Sequence, residues 1–215
     1  MSALAGCEID NAVVELSGPE VPIMDGSAEP FVFLIECAGV VEQKAPRRAI
    51  QILRRIDIRN ENSDVSLEPW NGFSINLGID FKHPLIGRQE LAIDLSSTSF
   101  KTEICRARTF GLLQEVETMR TAGFARGGSL DNAVVVSADG VMNEDGLRYA
   151  DEFVRHKVLD CIGDLYLLGG PIQGRFSGRR SGHSINNLLL RTLMTDHSAW
   201  RLVEMDKLNA PIPIP

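Results

Sequence analysis

The chain has 215 residues, of which 44% are hydrophobic and 24% are charged, and its formal net charge is −7. This composition is typical of globular protein, and the length allows one domain or two small ones, each with its own core. The negative charge argues against binding to nucleic acid, which requires a basic surface, and no apolar run approaches the about 20 residues that span a bilayer.

The N-terminal sequence predicts a short helix followed by a strand. Residues 1–5 have helical composition, Gly6 is a plausible C-cap, and Ala12–Leu16 has a strand-like pattern. A helix this short does not nucleate alone, and no capping residue precedes it. We therefore expect the chain to start inside a helix. The first residues also lack the basic region and apolar core of a signal peptide.

The rest of the chain predicts strands first and helices afterwards. A helix at 29–39 is followed by a charged linker at 42–48 and by four strands, at 49–58, 63–68, 72–81 and 90–95. Then come a helix from 110 to about 121, a strand at 132–137 with a hairpin turn at Asp139-Gly140, helices at about 152–168 and 184–194, and a strand near Ile172. This order, without regular βαβ alternation, predicts an α+β fold.

Four cysteines, Cys7, Cys37, Cys105 and Cys161, are scattered without a CxxC pair. We interpret them as structural thiols in a reducing compartment, and we expect the protein to be soluble and cytoplasmic.

One predicted helix carries a polar stripe. At about 100° per residue, His156, Asp160 and Asp164 fall within about 80° of one another, and Val158, Leu159, Ile162 and Leu165 occupy the opposite arc. The stripe could be a solvated face, although aspartate is a poor helix former. Alternatively, an imidazole and a carboxylate at i and i+4 can hold one Zn²⁺, although a catalytic zinc usually has three protein ligands and a water.

Two further positions are open to a structural and a chemical interpretation. His183, in a loop flanked by glycine, could have no role, or it could pair with Asp164 and act as a general acid. Thr109 could be the N-cap of the following helix, or its hydroxyl could donate to a developing oxyanion. We interpret His83 and His197 as structural or surface residues.

Several segments together resemble one known family. The strings DGSAEPFVFLIECAG, RARTFG, GGSLDNAVVV, NEDGLRYADEFVRHKVLDCIGDLYLLG and SGHSINN resemble the UDP-3-O-acyl-N-acetylglucosamine deacetylases of Gram-negative lipid A synthesis. The resemblance covers about residues 1–205. It implies two α+β sandwich domains with the active site between them. Residues 1–44 would be the remainder of a truncated first domain, 45–205 a complete second domain that carries the zinc ligands, and 206–215 a Pro-rich tail.

The resemblance implies a zinc-dependent hydrolysis of the substrate's acetamide to acetate and a free amine. His156 and Asp160 would be zinc ligands, Asp164 would hold His183 as the acid or electrostatic partner, and Thr109 would stabilise the oxyanion. Contacts to the substrate would come from Lys157, Phe110, Gly128 and Ser129, the last two beside the passage for the acyl chain.

The sequence departs from the family at its start. In the family, a Glu-His pair that supplies the general base and the third zinc ligand precedes the segment matching residues 1–6, and the sequence has neither. We therefore expect little deacetylase activity from the chain, and we expect the short N-terminal helix and the strand at Ala12–Leu16 to lack partners. Two alternatives stay open: an impaired fragment that binds zinc or UDP-sugar without turnover, and fusion to, or complementation by, another chain that restores the first domain. If turnover occurs, Glu152 is a candidate base. We expect a monomer.

Overall fold

The computed structural model describes residues 1–121, 123 and 127–205, so the predicted tail at 206–215 lies outside the described residues. Its helices are α1 (Ser2–Gly6), α2 (Glu29–Ala38), α3 (Ser97–Ser99), α4 (Leu113–Thr121), α5 (Glu152–Leu165) and α6 (His183–Thr195), with a π-helical turn at Phe100–Ile104 and a 3-10 turn at Tyr166–Leu168. Its strands are β1 (Arg48–Ile52), β2 (Ile56–Arg59), β3 (Asp64–Glu68), β4 (Phe73–Asp80), β5 (Arg88–Asp94), β6 (Phe110–Leu112), β7 (Val134–Val136), β8 (Ile172–Arg179) and β9 (Trp200–Glu204).

Strand β8 organises a mixed sheet of seven strands. It pairs in parallel with β1 and β4, and antiparallel with β3. The sheet is extended by β2 beside β3, by β5 beside β4, and by β9 beside β1, all antiparallel. Strands β6 and β7 form a separate parallel pair. Helix α5 packs on β4 and β5, and α6 packs on β2 and β3, so the two helices form a layer over the sheet. This architecture confirms the predicted α+β class.

Helix α5 is buried on more than its apolar face. The predicted core residues Val158, Leu159, Ile162 and Leu165 are all buried. His156, on the predicted polar stripe, is only 6% exposed, and Asp160 and Asp164 are half-buried. The interpretation of this stripe as a solvated face is therefore wrong, because neighbouring segments cover it.

The N-terminal helix has partners, contrary to expectation. The hydroxyl of Ser2 donates to the carbonyl oxygen of Leu159 at 2.7 Å, and Ala3 and Gly6 are buried. Helix α1 therefore packs directly on α5, at a point where Gly163 leaves room for Ser2. Residues Ala12–Leu16, in contrast, form no strand and are exposed, so that prediction is wrong. The division of the chain at residue 45 stays a prediction.

Three other elements differ from the sequence-based expectation. Phe110–Leu112 begins as a strand, because it pairs with Val134–Val136, and the helix starts only at Leu113. The strand expected at 49–58 is interrupted between β1 and β2. Strand β9 was not predicted. The turn at Asp139-Gly140 does reverse the chain, since Val136 pairs with Val141.

The four cysteines are all free thiols. Cys105 and Cys161 are buried, Cys7 is half-buried and Cys37 is exposed on α2. Burial raises the pKa of the Cys105 thiol to about 11, and it raises the pKa of Cys161 well above its ordinary value. The two buried thiols are therefore protonated at neutral pH, in agreement with structural cysteines. Within the described ranges, no helix is both long enough and apolar enough to cross a bilayer.

Candidate active site

Helix α5 brings together the two residues expected to hold zinc. The Nε2 atom of His156 lies 3.5 Å from Oδ1 of Asp160, one helical turn further on. The other carboxylate oxygen of Asp160 accepts a hydrogen bond of 2.9 Å from Lys157. The i, i+4 spacing thus places an imidazole nitrogen and a carboxylate oxygen side by side on one helix face.

A backbone carbonyl orients the His156 ring. Its Nδ1 atom lies 3.1 Å from the carbonyl oxygen of Ala107, which can only accept a hydrogen bond. Nδ1 therefore carries the hydrogen, and in the neutral ring Nε2 presents its lone pair toward Asp160. Burial lowers the pKa of His156, and this effect outweighs the raising effect of the Asp160 charge. A neutral, oriented imidazole is the form that binds a metal.

This donor set fits Zn²⁺, with one limit. Imidazole nitrogen and carboxylate oxygen are common zinc ligands, and a zinc-binding histidine typically donates its other N–H to a carbonyl or carboxylate. The pair supplies two of the three protein ligands that catalytic zinc sites usually have. Among the residues that the structure describes, no group of three or more His, Cys, Asp or Glu is arranged to hold a metal.

An aromatic cluster flanks the pair. The Phe110 ring contacts Phe153 and Phe81 edge to face, at centroid distances of 4.9 and 5.5 Å, and lies 6.2 Å from the His156 ring. The Lys157 ammonium lies 5.5 Å above the Phe110 ring. Phe110 and Lys157, both expected to contact substrate, thus lie together beside His156.

The next turn of α5 carries the second polar pair. The Nδ1 atom of His183 lies 2.9 and 3.0 Å from the two carboxylate oxygens of Asp164. A carboxylate accepts, so Nδ1 again carries the hydrogen and Nε2 is the outer atom. The Asp164 side chain is only 16% exposed, whereas that of His183 is 71% exposed and borders an opening of about 330 Å³. The exposed ring of His183 therefore forms part of the wall of this opening.

Thr109 lies in an extended segment and not at a helix start. Its N–H donates to the carbonyl of Gly26 at 2.8 Å, and its own carbonyl accepts from Val134 at 2.7 Å. The N-cap interpretation is therefore wrong. Gly26 has a φ of 84°, and a Cβ there would lie 2.2 Å from the carbonyl oxygen of Asn132. Only glycine fits at this junction.

The two residues expected near the acyl passage lie in a loop before β7. Ser129 is exposed, its N–H donates to Asn132 at 2.9 Å, and its hydroxyl accepts from the N–H of Asp131 at 3.2 Å. Gly128 is half-buried. The role of both residues as substrate contacts stays a prediction.

A buried ion pair beneath the site was not predicted. Glu152 is fully buried, and its carboxylate accepts hydrogen bonds from the guanidinium and the N–H of Arg108 and from the N–H of Arg148. Burial by itself raises the pKa of Glu152, but these hydrogen bonds outweigh burial and leave it below its ordinary value of 4.5. With its oxygens fully engaged, Glu152 is unsuited to act as a catalytic base. In the sequence Arg108 and Glu152 are 44 residues apart, and no local pattern connects them.

Comparison with known sequences identifies the family of the chain. Residues 1–195 match the family described as UDP-3-O-acyl N-acetylglycosamine deacetylase. A protein of Acidithiobacillus ferrooxidans named UDP-3-O-acyl-N-acetylglucosamine deacetylase is 56% identical over 213 residues, which cover 98% of this chain and 70% of the relative. A protein of the same name from Teredinibacter turnerae is 55% identical over 96% of this chain and 69% of its own length. The chain therefore belongs to the UDP-3-O-acyl N-acetylglycosamine deacetylase family.

Proposed function

We propose that the chain takes part in the zinc-dependent hydrolysis of the acetamide of UDP-3-O-acyl-N-acetylglucosamine, which gives acetate and a free amine in lipid A biosynthesis. The observation that carries this proposal is the pair of polar contacts on successive turns of α5. His156 and Asp160 would hold the metal, and His183 with Asp164 lies one turn away. We also propose a cytoplasmic location and a monomeric state.

Each site residue has a role that its position supports. Bound zinc would supply a Lewis acid that polarises the amide carbonyl and the attacking water. Protonated His183 would deliver its Nε2 hydrogen to the departing amine nitrogen, and Asp164 would hold the ring in place and stabilise its positive charge. The Thr109 hydroxyl would donate to the oxyanion. The substrate would be contacted by Lys157, Phe110, Gly128 and Ser129.

A second candidate function is binding of zinc or UDP-sugar without turnover. The observation that favours it is the two-donor character of the His156–Asp160 pair, together with the engagement of Glu152 by Arg108. In this case the polar pairs bind ligand, but no carboxylate in the described part of the chain takes the water proton.

One experiment separates these candidates. Release of acetate from UDP-3-O-acyl-N-acetylglucosamine is measured for the chain as given, and for the chain joined to the part of the Acidithiobacillus ferrooxidans relative that lies outside the match. The proposal expects zinc-dependent turnover in the joined protein and a loss of about 10²–10⁴-fold or more without the added part, the range for removal of a general base. Binding of UDP-sugar by both proteins without turnover in either would favour the second candidate. Equal turnover in both would show that a residue of this chain acts as the base.

A further inference from the structure

A buried amide lies behind the His183–Asp164 pair. Asn186, in the first turn of α6, is 1% exposed, and its Nδ2 donates to Oδ2 of Asp164 at 2.9 Å. The other buried side chains of this helix are apolar: Ile185, Leu189, Leu190 and Leu193. An amide buried among such residues is unfavourable unless its polar atoms are hydrogen-bonded.

Only one end of this amide has a partner. Among the described residues, no group donates to the buried Oδ1 atom of Asn186. A purely apolar side chain of similar size would avoid this desolvation cost. The hydrogen bond to Asp164 is therefore the contact that distinguishes Asn186 from a leucine at this position.

The Asp164 carboxylate needs such a contact to hold one orientation. The terminal torsion of an aspartate is broad, so the carboxylate rotates easily when nothing fixes it. Its two oxygens lie almost equally far from Nδ1 of His183, at 2.9 and 3.0 Å. The hydrogen bond from Asn186 holds Oδ2 in place and thereby fixes the rotation of the carboxylate, with both oxygens turned toward the imidazole.

The His183 ring depends in turn on that carboxylate. It follows Gly182 at the start of α6, and its side chain is 71% exposed, so packing contributes little to its orientation. Asn186 thus contacts Asp164, and Asp164 contacts His183. Through these two contacts, the buried side of α6 determines which ring nitrogen of His183 faces the opening.

We propose that Asn186 is a positioning residue: its amide fixes the Asp164 carboxylate, so that His183 keeps its Nδ1 hydrogen on Asp164 and turns Nε2 toward the opening. The use of this arrangement in catalysis rests on the proposed function, but the arrangement itself does not. It is a property of the chain and can be measured without turnover.

The test is the tautomer of neutral His183, read from the ring ¹⁵N shifts of the metal-free chain. The wild type is expected to hold mainly the Nδ1–H tautomer. Asn186→Leu, which keeps the branched shape of the side chain and removes the donor, should shift the ratio toward Nε2–H, in the same direction as Asp164→Asn. Leu193→Ala is the matched control: it removes buried volume from the same helix and should leave the ratio unchanged.

An unchanged ratio in Asn186→Leu, with a clear change in Asp164→Asn, would overturn the proposal. A shift of equal size in Leu193→Ala would also overturn it, because the ratio would then report general loosening of α6. If Asn186→Leu does not fold, Asn186→Ala removes the same donor without adding volume at Cγ and takes its place. In a turnover-competent form of the protein, Asn186→Leu should lower kcat and leave KM unchanged. A tautomer shift in a chain that shows no turnover in any form would leave the positioning role standing and refute the proposed function.

Discussion

The carbonyl oxygen that binds Nδ1 of His156 belongs to Ala107, the residue directly before the Arg108 that pairs with Glu152. Glu152 and His156 are one turn apart on α5, so two adjacent residues of the 107–108 segment contact two successive turns of one helix. The buried ion pair thereby anchors the segment that orients His156. The orientation of His156 and the stability of the fold are coupled through this segment.

Replacing His156 should weaken zinc binding. The variant is made in the joined protein described above, in which turnover is expected. There His156→Ala removes a direct zinc ligand, so the affinity for zinc should fall by more than the about 10–100-fold that loss of an outer contact costs. Metal content after dialysis against a zinc buffer measures the effect. His197→Ala is the control, because this histidine is exposed and contacts Trp200 instead. Undiminished zinc in His156→Ala would exclude His156 as a ligand.

The Glu152–Arg108 pair should make stability depend on acidic pH. The pKa of Glu152 is lower in the folded protein than its ordinary value of 4.5, so its contribution is complete above that value and is lost as the pH falls toward the folded pKa. At pH 7, Glu152→Gln should cost about 3–5 kcal/mol, since it breaks a buried pair. Urea unfolding from pH 7 downward should show the two proteins converging in acid. If the difference in unfolding free energy between the two proteins does not change with pH, the lowered pKa of Glu152 is contradicted.

His183 and Asp164 should behave as one unit in catalysis. If Asp164 orients and charges His183, either substitution by alanine should lower kcat/KM by about 10²–10⁴-fold, and the double substitution should cost little more. The three variants are compared by kinetics in a turnover-competent form. Losses that multiply in the double variant would mean that the two residues act independently.

Gly163 should be required for the contact between α1 and α5. A Cβ at Gly163 would lie 2.6 Å from Oγ and 3.3 Å from the backbone nitrogen of Ser2. Gly163→Ala should therefore destabilise the protein by about 1–3 kcal/mol through overpacking, although alanine favours helix more than glycine does. The midpoint temperature of thermal unfolding measures this loss of stability.

Two further variants check the cause. Gly18→Ala is the matched control, because a Cβ at Gly18 meets open space. Ser2→Gly should recover part of the stability of Gly163→Ala, since it removes the hydroxyl that would collide. A stabilised Gly163→Ala would show that α1 moves away at no cost.

The sequence predicted the parts of the fold that local periodicity controls. The polar stripe and the apolar arc of α5 follow from one helical repeat. The contact His156–Asp160 lies within this stripe, and Asp164 of the stripe contacts His183, which its glycine-flanked loop had indicated separately. Phe110–Leu112 was wrongly expected to be helical, because its strand conformation depends on pairing with residues 24 positions later. Local pattern carries no information on such pairing.

Long-range polar contacts were also beyond local pattern. The bond from Asn186 to Asp164 spans 22 residues, and the pairing of Glu152 with Arg108 spans 44. Asn186 stands next to Asn187 in the sequence, and nothing in the pair indicates which amide is buried. Strand β9 was missed for a related reason, since it pairs with β1, which lies far earlier in the sequence.

The four thiols differ in burial and therefore in their reactivity toward labelling reagents. The thiolate form of a cysteine attacks a maleimide or iodoacetamide reagent, and burial suppresses that form at Cys105 and Cys161. Cys37, exposed on α2, is accessible to such reagents. A fluorophore or spin label at Cys37 would therefore report on the N-terminal part of the chain and spare Cys161, the immediate neighbour of Asp160 on α5.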